Sequence, residues 1–277
     1  MRAFFIILIF VASGCGQSDV SKPNDQKAPL RIVSLDFCAD QYVLGLAEEN
    51  SIAALSTDAT ANFSYLRDDA EKFPTVRSRT EDILLLQPDM VVRTYGGDAD
   101  ITKTLERAGI DVLQIDFVTS LEDIETTIRK TAQALGNEER GVQLITAMNE
   151  KLREAKPSGE MLPAALYLTS KGAAAGRGTI IDQLFIKTGY TNFLNNNGWR
   201  SIPLEKLAYN QPEIIATGFF ETNDLTSDLW TSARHPVVQR LLTSKPVANI
   251  PGALTACNAW FISDAADILA ANHSKGL

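Results

Sequence analysis

Two glutamates open stretches that read alike in the two halves of the chain. Glu81-Asp-Ile-Leu-Leu-Leu-Gln87-Pro88-Asp89-Met-Val91 is echoed by Glu205-Lys-Leu-Ala-Tyr-Asn-Gln211-Pro212-Glu213-Ile-Ile215, with the glutamate, the Gln-Pro-acid triplet and the apolar run at the same spacing. A carboxylate suits the positive start of a helix, and proline stops that helix before a β-type run. The repeated unit is therefore helix, turn, strand. Two such units imply two lobes, each with a carboxylate at an equivalent place, able together to meet a basic partner.

Other residues carry different chemistry. Asp36 and Asp40 follow the first apolar run and could act as paired acid and base, but their spacing shares one helical face only if the helix begins by Asp36. The chain has no Gly-x-Ser-x-Gly elbow, no His-Glu-x-x-His and no phosphate loop, so an exported hydrolase is the weaker reading. Its two histidines, His235 and His273, stand in no ligand-spaced cluster, and no bare metal site is expected. His235 before Pro236 reads as a helix start.

Binding chemistry is better represented. Phe37, Thr57, Asp58, Arg93, Tyr95 and Phe117 fall at the ends of β-like runs in the first half. Ser170, Lys171, Arg177, Trp199, Arg200, Phe219, Phe220 and Trp260 do so, or lie in loops, in the second. Aromatic rings there offer flat apolar area, and the arginines could pair with carboxylates or catecholates.

The elements that must position these residues alternate. β-like runs at 31–35, 52–56, 90–94 and 112–116 interleave with helical segments at 38–47, 80–86, 98–108 and 121–135. A longer amphipathic segment, Glu138 to about Ala155, carries Val142, Ile145, Met148 and Leu152 at helical spacing and would span about 27 Å. The second half repeats the alternation, with runs at 164–169, 213–217 and 247–250 and helices at 179–187 and 262–271. Such alternation predicts an α/β fold of two lobes with parallel-type sheets, residues 30–137 and 158–277, joined by one long helix at 138–157.

At 277 residues, 45% hydrophobic and 22% charged, the composition is that of a globular protein with room for two domains. The net charge of −8 without a basic cluster argues against nucleic acid. Residues 1–15 read as an export signal: Arg2, an apolar run too short to span a bilayer, then Ala12-Ser-Gly-Cys15, which resembles the lipobox of bacterial lipoproteins. Cys15 would carry lipid and anchor the chain to the membrane in the periplasm, with the polar residues 16–29 as a flexible tether. Two cysteines then remain, Cys38 and Cys257, as a disulfide or as two separate thiols.

Taken in order, these pieces resemble the iron-siderophore and vitamin B12 family of substrate-binding proteins that serve ABC importers. The resemblance is carried by Arg31-Ile-Val-Ser-Leu35, Leu44-Gly-Leu46, Ile52-Ala-Ala-Leu55, Glu81 with Gln87-Pro-Asp-Met-Val-Val92, Ala108-Gly-Ile-Asp-Val112, Ser120-Leu-Glu-Asp-Ile124, Leu135-Gly136, Gly189 to Asn192 and Leu204-Glu205. It implies a class III periplasmic-binding-protein-like architecture, modest lobe movement about the long helix, and a monomer. It also implies that Glu81 and Glu205 dock onto arginines of a membrane permease. The ligand would be a small-molecule metal chelate held between the lobes, a ferric siderophore or a corrinoid ahead of haem, with no resident cofactor. The cleft residues would come from Asp36, Phe37, Asp40, Asp58, Arg93, Tyr95, Lys171, Arg177, Trp199, Arg200, Phe219 and Trp260. A lipoprotein using the same fold for sensing or scaffolding is the alternative.

Overall fold

The computed structural model describes residues 29–98, 100–156, 162–219 and 231–273. The expectations for Cys15, the signal segment, Phe220 and the side chain of His273 lie outside the described residues.

Five short strands form the first sheet: β1 (Ile32–Ser34), β2 (Ile52–Ser56), β3 (Thr75–Val76), β4 (Met90–Arg93) and β5 (Asp111–Gln114). Their order is β3-β2-β1-β4-β5, and every pairing is parallel. Parallel neighbours need crossovers, supplied here by α1 (Phe37–Leu46), α2 (Arg67–Ala70), α3 (Thr80–Leu85) and α4 (Ile101–Arg107). The order reverses between β1 and β4, so the loops that leave these neighbours diverge and open a crevice at their carboxyl ends.

α5 (Leu121–Ala134) starts at a capping box formed by Ser120 and Asp123. The long helix α6 (Glu138–Glu154) follows. Its seam differs from the expected one, because Val142 is 53% exposed and Gly141 takes the inward place with Ile145, Met148 and Leu152. A Cβ on Gly141 would lie 2.7 Å from that of Ala132, so glycine is what lets α6 approach α5.

The second sheet contains β6 (Ala164–Thr169), β7 (Ala173–Ala175), β8 (Thr191–Asn192), β9 (Trp199–Ser201), β10 (Ile214–Gly218) and β11 (Val247–Ile250), in the order β11-β10-β6-β7-β9 with β8 also on β6. Its β11, β10, β6 and β8 pair in parallel, whereas β7 is antiparallel to both β6 and β9. The second lobe is thus mixed at one edge. Helices α7 (Ile180–Lys187), α8 (Leu204–Tyr209), α9 (Pro236–Ser244) and α10 (Ile262–His273) complete it. Among the described residues no helix is long and apolar enough to cross a membrane.

The repeat is structural. α3 and α8 are six-residue helices, and each leads through Gln-Pro-acid into the next strand of its lobe. Asp89 Oδ2 accepts the backbone N–H of Arg31 at 2.8 Å, and Glu213 Oε2 accepts that of Ala164 at 2.8 Å. In both lobes the triplet's acid satisfies an amide at the entry of the neighbouring parallel strand, an amide the sheet itself leaves over.

Apolar packing crosses from one lobe to the other. One cluster joins Tyr42, Leu46 and Ile128 to Ile145, Met148 and Leu152 of α6 and to Phe185, Phe261 and Leu269 beyond it. A disulfide joins Cys38 at the start of α1 to Cys257, with Cα atoms 5.3 Å apart. Asn258 Nδ2 donates to the Val118 carbonyl at 2.9 Å, and the Tyr65 hydroxyl donates to Asp264 at 2.6 Å. Asp264 also pairs with Lys151 of α6.

Candidate functional site

The crevice of the first lobe is organised by one carboxylate. Asp36 caps α1 by accepting from Ala39 N at 2.9 Å. It also accepts the backbone amides of Thr94, Tyr95 and Gly96 at 2.8, 3.1 and 2.8 Å, and the Thr94 hydroxyl. Asp36 is 4% exposed. It therefore corrects the expectation of a ligand-binding acid: its oxygens are taken by the loop after β4, which it ties to the end of β1. That tie holds Tyr95 beside Phe37, ring centroids 6.1 Å apart, while Phe63 also meets Phe37 edge-on at 4.7 Å.

Asp40 is a second correction. It lies fully buried beneath the crevice, accepting from Ser56 N at 3.0 Å and from the Ser56 hydroxyl at 2.6 Å. Burial raises its pKa to about 6, the Ser56 bonds opposing the shift. Burial, with the charges of Asp36, Asp58 and Asp40, also pushes the Tyr95 hydroxyl up to about 12, so Tyr95 is a neutral donor. Asp58 and Thr57 are exposed at the end of β2.

Two cavities mark the space between the lobes. One, of 230 Å³, is lined by Phe37, Tyr42, Tyr95, Asp116 and Phe117 and floored by the Cys38–Cys257 bond. Phe117 is 85% exposed at its mouth. The other, of 470 Å³, is bounded by Phe37 and Phe63 from the first lobe and Thr169, Ser170, Lys171, Phe219 and Ala256 from the second. Phe37 and Ala256 border both, so the two form one cleft. Phe219 is held at φ 63, a left-handed conformation unusual for an aromatic residue, at the edge of this space. The Ser170 hydroxyl donates to its carbonyl at 2.8 Å. Tyr42 is buried, with a hydroxyl that finds no hydrogen-bond partner among the described residues.

Of the expected site residues, Phe37, Tyr95, Phe117, Ser170, Lys171 and Phe219 therefore meet in the cleft. The arginines do not line it. Arg93 turns back to Thr102 Oγ1 at 3.1 Å and to the carbonyls of Tyr95 and Asp98, bracing its own loop. Arg177 donates to Asn195 Oδ1 at 2.8 Å and Arg200 to the Asn197 carbonyl at 3.2 Å, both exposed. Trp199 is half-exposed and stands edge-on to Tyr167, 5.9 Å away. Trp260 serves as a wedge between the lobes. It packs against Tyr42 at 5.6 Å, and its ring fills the place a Cβ on Gly45 would occupy, only 2.5 Å away. It lines a separate 310 Å³ cavity with Leu44, Arg140 and Leu144. Phe63, Asp116 and Ala256 are cleft residues that the sequence reading missed. The one signal available was Phe63, an aromatic set between Asn62 and Ser64 in a turn.

Glu81 and Glu205 are exposed in the first turns of α3 and α8, and neither is paired among the described residues. Arg31, at the entry of β1, holds the carbonyls of Leu86 and Gln87, which places the end of α3 at the amino edge of the sheet. The start of α3, with Glu81, therefore faces the carboxyl edge, where the cleft opens. α8 precedes β10 in the same way.

Known proteins share this fold. RhuT, a periplasmic heme-binding protein from Roseiflexus sp. RS-1, superposes with a TM-score of 0.69 at 19% identity, over 90% of this chain and all of that one. BtuF, the periplasmic vitamin B12-binding protein of Vibrio cholerae, gives 0.62 at 15% identity, over 89% and 97%. In sequence, the chain is 26% identical over 144 residues to YvrC of Bacillus subtilis strain 168, an uncharacterized ABC transporter substrate-binding lipoprotein. That match takes in 50% of this chain and 44% of the relative, less than half the relative's length. The Periplasmic binding protein family profile reaches further, from residue 32 to residue 251, across both sheets and the helix between them, and the chain belongs to that family.

Proposed function

We propose that this protein captures a metal chelate in the cleft between its lobes and delivers it to the permease of an ABC importer. It would act as a monomer, held at the periplasmic face of a membrane by lipid on Cys15, with residues 30–137 and 158–277 as lobes and 138–157 between them. The observation that carries this reading is the aromatic cleft, with Phe37, Phe63, Tyr95 and Phe117 on one side and Phe219 on the other. Large rings at the carboxyl ends of parallel strands suit a flat ligand. Names of the structural relatives point the same way, to haem and vitamin B12.

Charge narrows the ligand. Among the described residues these two cavities hold one cation, Lys171, and one acid, Asp116. A ferric catecholate or a haem with two propionates would meet too few cations, so a corrinoid, neutral or cationic, is the favoured ligand. Glu81 and Glu205 would dock the loaded protein, steering it to a basic partner.

The test is a titration of the purified protein with cyanocobalamin, cobinamide, haemin and ferric enterobactin, following tryptophan fluorescence. Corrinoid binding weakened at least about 10-fold by Phe37→Ala with Phe117→Ala is expected. Glu81→Ala with Glu205→Ala should leave that affinity unchanged and abolish permease-dependent uptake. Binding of the anionic chelates alone would overturn the ligand assignment, and normal uptake by the glutamate variant would overturn the docking assignment.

A further inference from the structure

The two repeated helices agree beyond their glutamates. α3 reads Thr80-Glu-Asp-Ile-Leu-Leu85 and α8 reads Leu204-Glu-Lys-Leu-Ala-Tyr209. Position for position both run half-buried, exposed, half-buried, buried, exposed, exposed. The buried residue, Ile83 or Leu207, pins each helix to its lobe. The last residue is the anomaly: Leu85 is 82% exposed and Tyr209 94%. One exposed apolar side chain needs no explanation. A large apolar side chain at the same open position of both lobes, one helical turn past the glutamate and on its face, is a pattern.

We propose that Glu81 with Leu85, and Glu205 with Tyr209, form two composite docking contacts for the membrane permease. In each, the carboxylate orients the approach and the apolar side chain enters a depression on the partner. This rests on the reading of the protein as a substrate-binding component, and it specifies the partner's chemistry: a basic side chain beside an apolar depression, presented twice. A second copy of this chain does not meet that description. The α3 patch carries Glu81 and Asp82 with the exposed Arg77 and Arg79 just before them, whereas Lys206, the cation within α8, is committed to the Phe193 carbonyl at 2.7 Å and to the Phe193 ring at 4.0 Å. A second copy therefore offers basic side chains beside one of its two patches and not beside both.

The apolar half of each contact is the part that salt does not screen. Leu85→Ser with Tyr209→Ser alters only open surface, so thermal stability and cyanocobalamin affinity should stay as in the wild type. Uptake of radiolabelled cyanocobalamin by cells relying on this variant should fall about 10-fold to 100-fold. Wild-type uptake by the serine variant, with uptake lost in Glu81→Ala/Glu205→Ala, would overturn this proposal alone. Wild-type uptake by both variants would overturn the docking reading as well. A photo-crosslinking benzoylphenylalanine in place of Leu85 or Tyr209 decides the matter whichever chelate is carried. Linkage to a polytopic permease subunit supports the proposal, and linkage to a second copy, or none, overturns it.

Discussion

Asp36 and Asp40 stand one helical turn apart, yet the fold uses them differently. Asp36 gathers amides from a loop nearly sixty residues away, whereas Asp40 is sealed under the crevice with Ser56. The pKa of Asp40 is about 6 when folded against an ordinary value of 3.8, so as pH rises from 3.8 the unfolded chain releases this proton first. Stability from this group therefore falls between pH 3.8 and about 6 and is constant above. Asparagine keeps an acceptor for Ser56 N and carries no charge. Asp40→Asn should thus gain on the wild type by roughly 2 kcal/mol between pH 4 and pH 7, measured by chemical denaturation. A gain that does not change with pH would show that Asp40 does not titrate there. Neither role was legible in the sequence, because an acid after a strand looks the same whether it awaits a ligand or serves a distant loop.

At the scale of elements, the Gln-Pro-acid triplet turns out to be a joint between strands. Removing the acid leaves the N–H of Arg31 or Ala164 to solvent, and since both sites are exposed the cost is modest. Asp89→Ala and Glu213→Ala should each lower stability by about 1 kcal/mol. The two should add, lying as they do in different sheets, and wild-type unfolding curves for both would sink the idea. The duplication was visible in the sequence, as were the longer strands and helices, because runs of four or more residues carry a period. β3, β7, β8 and β9 span two or three residues each and carry none, whereas the equally short β1 was legible because Ile32 and Val33 stand in a longer, mostly apolar run, Leu30 to Leu35. The seam of α6 shifted from Val142 to Gly141 because close approach to Ala132 outranked apolar periodicity. The cleft was half legible for a related reason: strand ends announced Phe37, Tyr95 and Lys171, while Phe63 and Ala256 reach it from turns.

For the molecule as a whole, the lobes are fastened at several separate points: the disulfide, the Asn258 bond to Val118, the Tyr65–Asp264–Lys151 group and Trp260 seated on Gly45. Fasteners of this kind oppose a wide hinge motion of the lobes. Cys38→Ser with Cys257→Ser should lower stability by about 2–5 kcal/mol, read from denaturation, while the remaining fasteners keep the lobes together. A variant as stable as the wild type would mean that the bond constrains nothing the other contacts do not already hold. The same bond also has a consequence in time. Cys38 is synthesised 219 residues before its partner. The covalent ring can close only after that whole stretch has been made, so Cys38 waits for Cys257 through all of it. A chain cut short before Cys257 cannot close the ring, and a peptide map made without reductant should show its Cys38 without that bridge.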